Sequence, residues 1–102
     1  MRLEIVSWRG AEPPRERALR SELASRGFGA SLWRDVPGAR YEAHSHERDE
    51  ALWVLEGEMT FEADGRTLRL GPGDRLELPA GTVHTAVAGS AGATYLIGER
   101  GA

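Results

Sequence analysis

From residue 32 onward the apolar residues come in short runs, each closed by turn residues. The runs are SLWRDV, ARYEAHSH, EALWVL, EMTFEA, RTLRL, DRLELP, TVHTAV and ATYLIG, with PG, EG, DG, GPG, PAG and GSAG among the breaks. Glycine supplies positive φ and proline fixes φ, so clusters of this kind end strands. Several runs alternate: Met59 and Phe61 oppose Thr60 and Glu62, and Leu76 and Leu78 oppose Arg75 and Glu77. Such runs predict half-buried strands with one wet face. ALWVL differs, because both parities are apolar. If Glu50, Leu52 and Val54 share one face, then Ala51, Trp53 and Leu55 need cover on the other, from an N-terminal helix or a partner subunit.

Residues 1–36 have another texture. LEIVSW at 3–8 is strand-like, and a helix is predicted to open at Pro13 and Pro14, run through RERALRSELASR and stop at Gly27. Leu19 and Leu23 stand at i,i+4, as do Glu16 and Arg20, which can pair on the surface. The apolar stripe is narrow, so the helix should pack on a larger scaffold. The expected fold class is all-β, an antiparallel sandwich or barrel. Residues 37–102 form the barrel, and residues 1–36 supply a short strand and helix that pack on it within one domain.

Composition narrows the chemistry. The chain has 102 residues, enough for one core, and a net charge of −3 with no run of like charges, so nucleic acid is not an expected partner. The longest apolar stretch, residues 51–55, is too short to span a bilayer, and no signal-like start is seen, so a cytoplasmic location is expected. Cysteine is absent, which removes disulfides and thiolate ligands or nucleophiles. Lysine, asparagine and glutamine are absent too, and all 13 basic residues are arginine. No Schiff-base lysine and no amide oxyanion hole can be built.

What survives is histidine and carboxylate chemistry, concentrated in HSHERDE at 44–50. On a strand, residues i and i+2 share a side, so His44 and His46 project together. Glu50 has the parity of Leu52 and Val54 and should point inward, which is expensive unless it is paired or coordinated. His84, the third histidine, follows a turn made by Pro79 and Gly81. Imidazole and carboxylate suit Zn, Mn, Fe, Ni and Cu. A lone histidine is most often solvated or hydrogen-bonded; four donors at these spacings are a different matter. By parity Arg40 and Glu42 share the face of the two histidines, with Leu52, Val54, Met59, Phe61, Thr82 and Ala86 as further wall. Arg40, Glu42 and Phe61 are therefore candidate substrate contacts, and Glu42 a candidate general base. A mostly apolar wall suits a small, partly hydrophobic ligand. Trp33, Tyr41 and Tyr95 read more readily as core or interface aromatics.

At this point the chain resembles the cupin superfamily. Gly38, His44, His46, Glu50 and Gly57 fill the first motif, G-x5-H-x-H-x3-E-x6-G, and Gly73, Pro79, Gly81 and His84 match the second, G-x5-P-x-G-x2-H-x3-N. Ala88 stands where the family often has Asn, a position outside the ligand set. The resemblance implies a cupin-type double-stranded β-helix, or jelly-roll barrel, and one divalent metal ion (Mn, Fe, Zn, Ni or Cu) held by His44, His46, Glu50 and His84. It implies two open coordination positions and a homodimer. The function expected is that of a metal-dependent oxygenase or isomerase acting on a small organic substrate; the alternative is a non-catalytic metal- or effector-binding module.

Overall fold

The computed structural model describes residues 1–100. The elements are β1 (Glu4–Val6), α1 (Glu16–Ser25), β2 (Phe28–Asp35), β3 (Arg40–His44), β4 (Asp49–Ala63), β5 (Arg66–Leu70), β6 (Arg75–Leu78) and β7 (His84–Arg100). All strand pairs are antiparallel, in the order β1-β6-β4-β7-β2, with β3 on β7 and β5 on β4. This is the expected all-β jelly-roll barrel with one short helix.

Two differences from the sequence reading share one cause. EALWVL and EMTFEA are a single strand, β4, and TVHTAV and ATYLIG are a single strand, β7. The EG and GSAG segments are not turns between strands. Along the β4–β7 ladder the register shifts between Val54 and Glu56 and again between Gly57 and Met59. Bulges of this kind bend a strand without ending it. Gly57 has φ 77°, and the backbone of Gly92 occupies the space a Cβ there would need. The bend lets one half of β7 lie between β3 and β4 and the other half between β2 and β4.

Two clusters of buried side chains follow. Inside the barrel, Leu52, Val54, Met59, Phe61, Leu70 and Leu76 belong to the larger. Outside it, Leu19 and Leu23 of α1 pack on Phe28, Ala51, Trp53 and Leu96. The doubly apolar strand is thus covered within the chain, and the argument for a partner subunit over it falls away. Trp53 completes the fit by donating its indole N–H to the Gly73 carbonyl at 2.7 Å. The helix begins after Arg15, whose backbone is extended, and the expected Glu16–Arg20 pair forms at 2.8 Å.

β6 departs from the alternation rule. Its Glu77 was expected on a wet face but is buried, with Arg26 at 2.6 Å and Arg75 at 3.5 Å. An arginine at the end of α1 therefore closes the outer layer over a carboxylate. Of residues 1–36, β1 and β2 are hydrogen-bonded strands of the barrel, and α1 lies outside the sheet. After β1, the Trp8 backbone N–H donates to Asp74 at 2.9 Å, and the Trp8 ring covers Gly73, whose φ is 88°. A side chain at residue 73 would be both strained and in collision with that ring.

Candidate metal centre

The site is assembled by strand pairing. His44 ends β3 and His84 opens β7, and the two are paired in register. His46 follows β3, and Glu50 lies at the start of β4. The loop before His84 is tied to HSHERDE from two directions: Gly81 N–H donates to the His46 carbonyl at 2.8 Å, and Ala80 N–H to Asp49 Oδ1 at 2.8 Å. Asp49 also pairs with Arg100 at 3.0 Å. The Ala80 N–H, then Arg100, hold its carboxyl below the usual range. Asp49, which reads as part of a surface turn in the sequence, instead links the segments that carry the donors.

The three imidazoles converge. Ring centroids lie 4.8 Å apart for His44–His46, 4.4 Å for His44–His84 and 5.3 Å for His46–His84, and one ligand nitrogen from each falls within 4.8 Å of the others. His44 Nδ1 lies 2.6 Å from the Glu42 carbonyl, and His84 Nδ1 2.8 Å from the Thr82 carbonyl. A carbonyl can only accept, so both Nδ1 atoms carry the hydrogen and both Nε2 atoms keep a free lone pair. Burial lowers the pKa of His46 and of His84, which favours the neutral, ligating form.

Glu50 stands beside this triad. Its residue is 3% exposed, with Oε2 3.5 Å from His46 Nδ1. Burial first, then the Glu99 carboxylate opposite it across β4 and β7, raises its pKa to about 7. Three imidazole nitrogens within 4.8 Å of one another, beside a buried carboxylate that has no arginine partner among the described residues, make a donor set that fits a divalent cation.

The donors face a cavity of about 450 Å³. Leu52, Met59, Phe61 and Ala86 form part of its wall, and the Phe61 ring lies 6.3 Å from His84. Arg40 and Glu42 do not line it. The reason is the irregularity in β3 between Tyr41 and His44, which breaks strict alternation and brings Tyr41 to the histidine side. Glu42 meets the site through its carbonyl, at His44 Nδ1. Thr82 likewise contributes a carbonyl, and Val54 belongs to the core. Trp33, Tyr41 and Tyr95, expected in the core or an interface, line the cavity. Glu99 also lines it, and Asp35 accepts from Tyr41 at 2.8 Å and Tyr95 at 2.7 Å. Neither acid was visible in the sequence, because each acts through a pairing with distant β7. Ala88 is buried in the core opposite Met59, so the missing Asn leaves the donors alone.

The chain is similar to known proteins to different extents. The chain is 47% identical over 49 residues to quercetin 2,3-dioxygenase of Bacillus subtilis (strain 168), a span that is 47% of this chain and 14% of that protein. The structure is similar to that of the DMSP lyase DddQ from Ruegeria pomeroyi DSS-3, with a TM-score of 0.67 and 30% identity, covering 74% of this chain and 39% of that one. It is also similar to oxalate decarboxylase of Bacillus subtilis, a protein with Mn(II) centres, with a TM-score of 0.64 and 26% identity over 72% of this chain and 21% of that one. Much of each relative therefore lies beyond what this chain spans. A family model for the cupin domain matches residues 31–97, a range that takes in His44, His46, Glu50 and His84, and the chain belongs to the cupin family.

Proposed function

We propose that the protein is a metal-dependent enzyme that holds one divalent ion on His44, His46, His84 and Glu50 and acts on a small organic substrate in the adjoining cavity. The observation that carries this reading is the convergence of three imidazole nitrogens, with Nε2 of His44 and of His84 freed by Nδ1–H bonds to backbone carbonyls, on a largely apolar cavity. A divalent ion bound there would supply Lewis acidity toward a substrate oxygen, and a redox-active one would also support oxygen chemistry. The chain's own residues do the rest. The Thr82 and Glu42 carbonyls fix the imidazoles, the aromatic wall excludes water, and Glu99 is the acid placed to accept or return a proton beside Glu50. The likeness to a dioxygenase favours an oxygenase over an isomerase.

Elemental analysis of untagged protein purified without chelators tests the reading. About one Mn, Fe, Ni, Cu or Zn per chain is expected, and His84→Ala should lose both metal and turnover while keeping its far-ultraviolet circular dichroism. Absence of metal under every loading condition overturns the proposal. The second reading is a non-catalytic metal- or effector-binding module. It requires bound metal with no oxygen uptake or product across a substrate screen. A homodimer also belongs to the proposal, through Val6 exposed on the edge strand β1. A single 11.1 kDa mass by light scattering at micromolar concentration removes it.

A further inference from the structure

We infer that the cavity selects an aromatic ligand that presents a hydroxyl donor, and that Asp35 sets this preference by holding the hydroxyl hydrogens of Tyr41 and Tyr95. The inference rests on reading the cavity as the ligand site and names the class of molecule that site takes.

Asp35 ends β2, and its two carboxylate oxygens divide between two phenols: Tyr41 Oη donates to Oδ1 at 2.8 Å and Tyr95 Oη to Oδ2 at 2.7 Å. Both tyrosines line the cavity. A phenol has one hydrogen to give, and a carboxylate can only accept. Both hydrogens are therefore committed to Asp35, and what the two phenol oxygens have left for a ligand is lone pairs. Burial and the Asp35 carboxylate hold both phenols above their ordinary pKa, so the hydrogens stay in place at neutral pH.

Charge points the same way. The ionisable carboxyl groups in the lining are Glu50 and Glu99, and among the described residues no arginine lines the cavity. Arg100 is paired with Asp49, and Arg26 and Arg75 with Glu77. In the metal-free chain a ligand carboxylate would meet acids and phenol lone pairs with no lining side-chain cation to offset them. The remaining wall suits a flat apolar body, with Trp33 and Phe61 joining the two tyrosines. Trp33 is 45% exposed, at the rim.

The test uses the full chain, dialysed against chelator and shown folded by circular dichroism, titrated with 2-naphthol, 2-methoxynaphthalene and 2-naphthoate. These share one ring system and differ in being donor, acceptor and anion. Wild-type protein should bind 2-naphthol at least about tenfold more tightly than either of the others, the size of one hydrogen bond to an acceptor held in place. Asp35→Asn turns one acceptor into an amide donor, which releases one phenol hydrogen into the cavity. The ratio between naphthol and its methyl ether should then fall to about one, through tighter binding of the ether as well as weaker binding of the naphthol. A merely structural Asp35 would weaken both probes alike. If Asp35→Asn fails to fold, Tyr41→Phe carries the test: it should weaken 2-naphthol and leave the ether unchanged. Equal affinities for naphthol and ether in wild-type protein, an unchanged ratio in folded Asp35→Asn, or naphthoate binding as tightly as naphthol overturns the inference. Because the titration is done without metal, its outcome is independent of the elemental analysis.

Discussion

At Glu50 a carboxylate is buried beside a second carboxylate, Glu99, and its pKa rises to about 7. In the metal-free chain the folded state therefore binds more protons than the unfolded state from roughly pH 4.5, the ordinary glutamate value, up to about 7. This group makes stability fall as pH rises through that window and then level off. His46 and His84 are shifted downward, so they bind fewer protons when folded and lower stability as pH falls below 6.5. Glu50→Gln separates the two effects. In calorimetry with chelator present it should raise Tm by about 5 °C at pH 8 and by almost nothing at pH 4, while metal affinity falls by about tenfold or more. A larger gain at pH 4 than at pH 8 would reverse the sign. At this scale the clustering of His44 and His46 and the burial of Glu50 were legible because the signals are local: i,i+2 spacing for the histidines and a strand start for Glu50. Arg40 and Glu42 misled because a bulge cannot be seen in a parity count. Glu99 and Asp35 were hidden because their partners arrive by long-range pairing.

The apolar runs located the strands correctly, yet β4 and β7 each absorbed two of them. A tight turn and a bulge ask the same thing of the sequence, a residue that tolerates positive φ, and Gly57 and Gly92 meet that demand inside strands. The helix was easier to read, since its stop and its Leu19–Leu23 stripe agree with α1, although it starts at Glu16 and not at Pro13 and Pro14. That stripe permits a prediction at this level. Leu23 is fully buried against Trp53 and Leu96 on the outer face of the sheet, away from the histidines. Leu23→Ala should destabilise the fold by about 2–5 kcal/mol, read as a lower urea midpoint. Metal stoichiometry and affinity at low denaturant should be unchanged. A loss of metal in the folded variant would mean that α1 supports the site as well as the sheet.

Across the whole molecule, fold class could be read from the run of strand-like segments, and family from histidine, glutamate, glycine and proline spacings that are local in sequence. The enclosing of the outer layer could not. It depends on Arg26 reaching Glu77 and on Trp8 lying over Gly73, contacts between segments far apart in the chain. The β4–β7 ladder adds a matter of timing. Its inner rung pairs Ala63 with His84 and its outermost rung pairs Asp49 with Arg100. Chain entropy favours closing the shorter loop first, so the ladder should zip outward, placing His84 early and Glu50 near the end. An ion that needs both would find its site only after the rate-limiting step. Stopped-flow experiments should then show metal slowing unfolding in proportion to its affinity and leaving the refolding rate almost unaltered. Loaded protein would owe its persistence to a slow exit from the native state, not to a faster route into it.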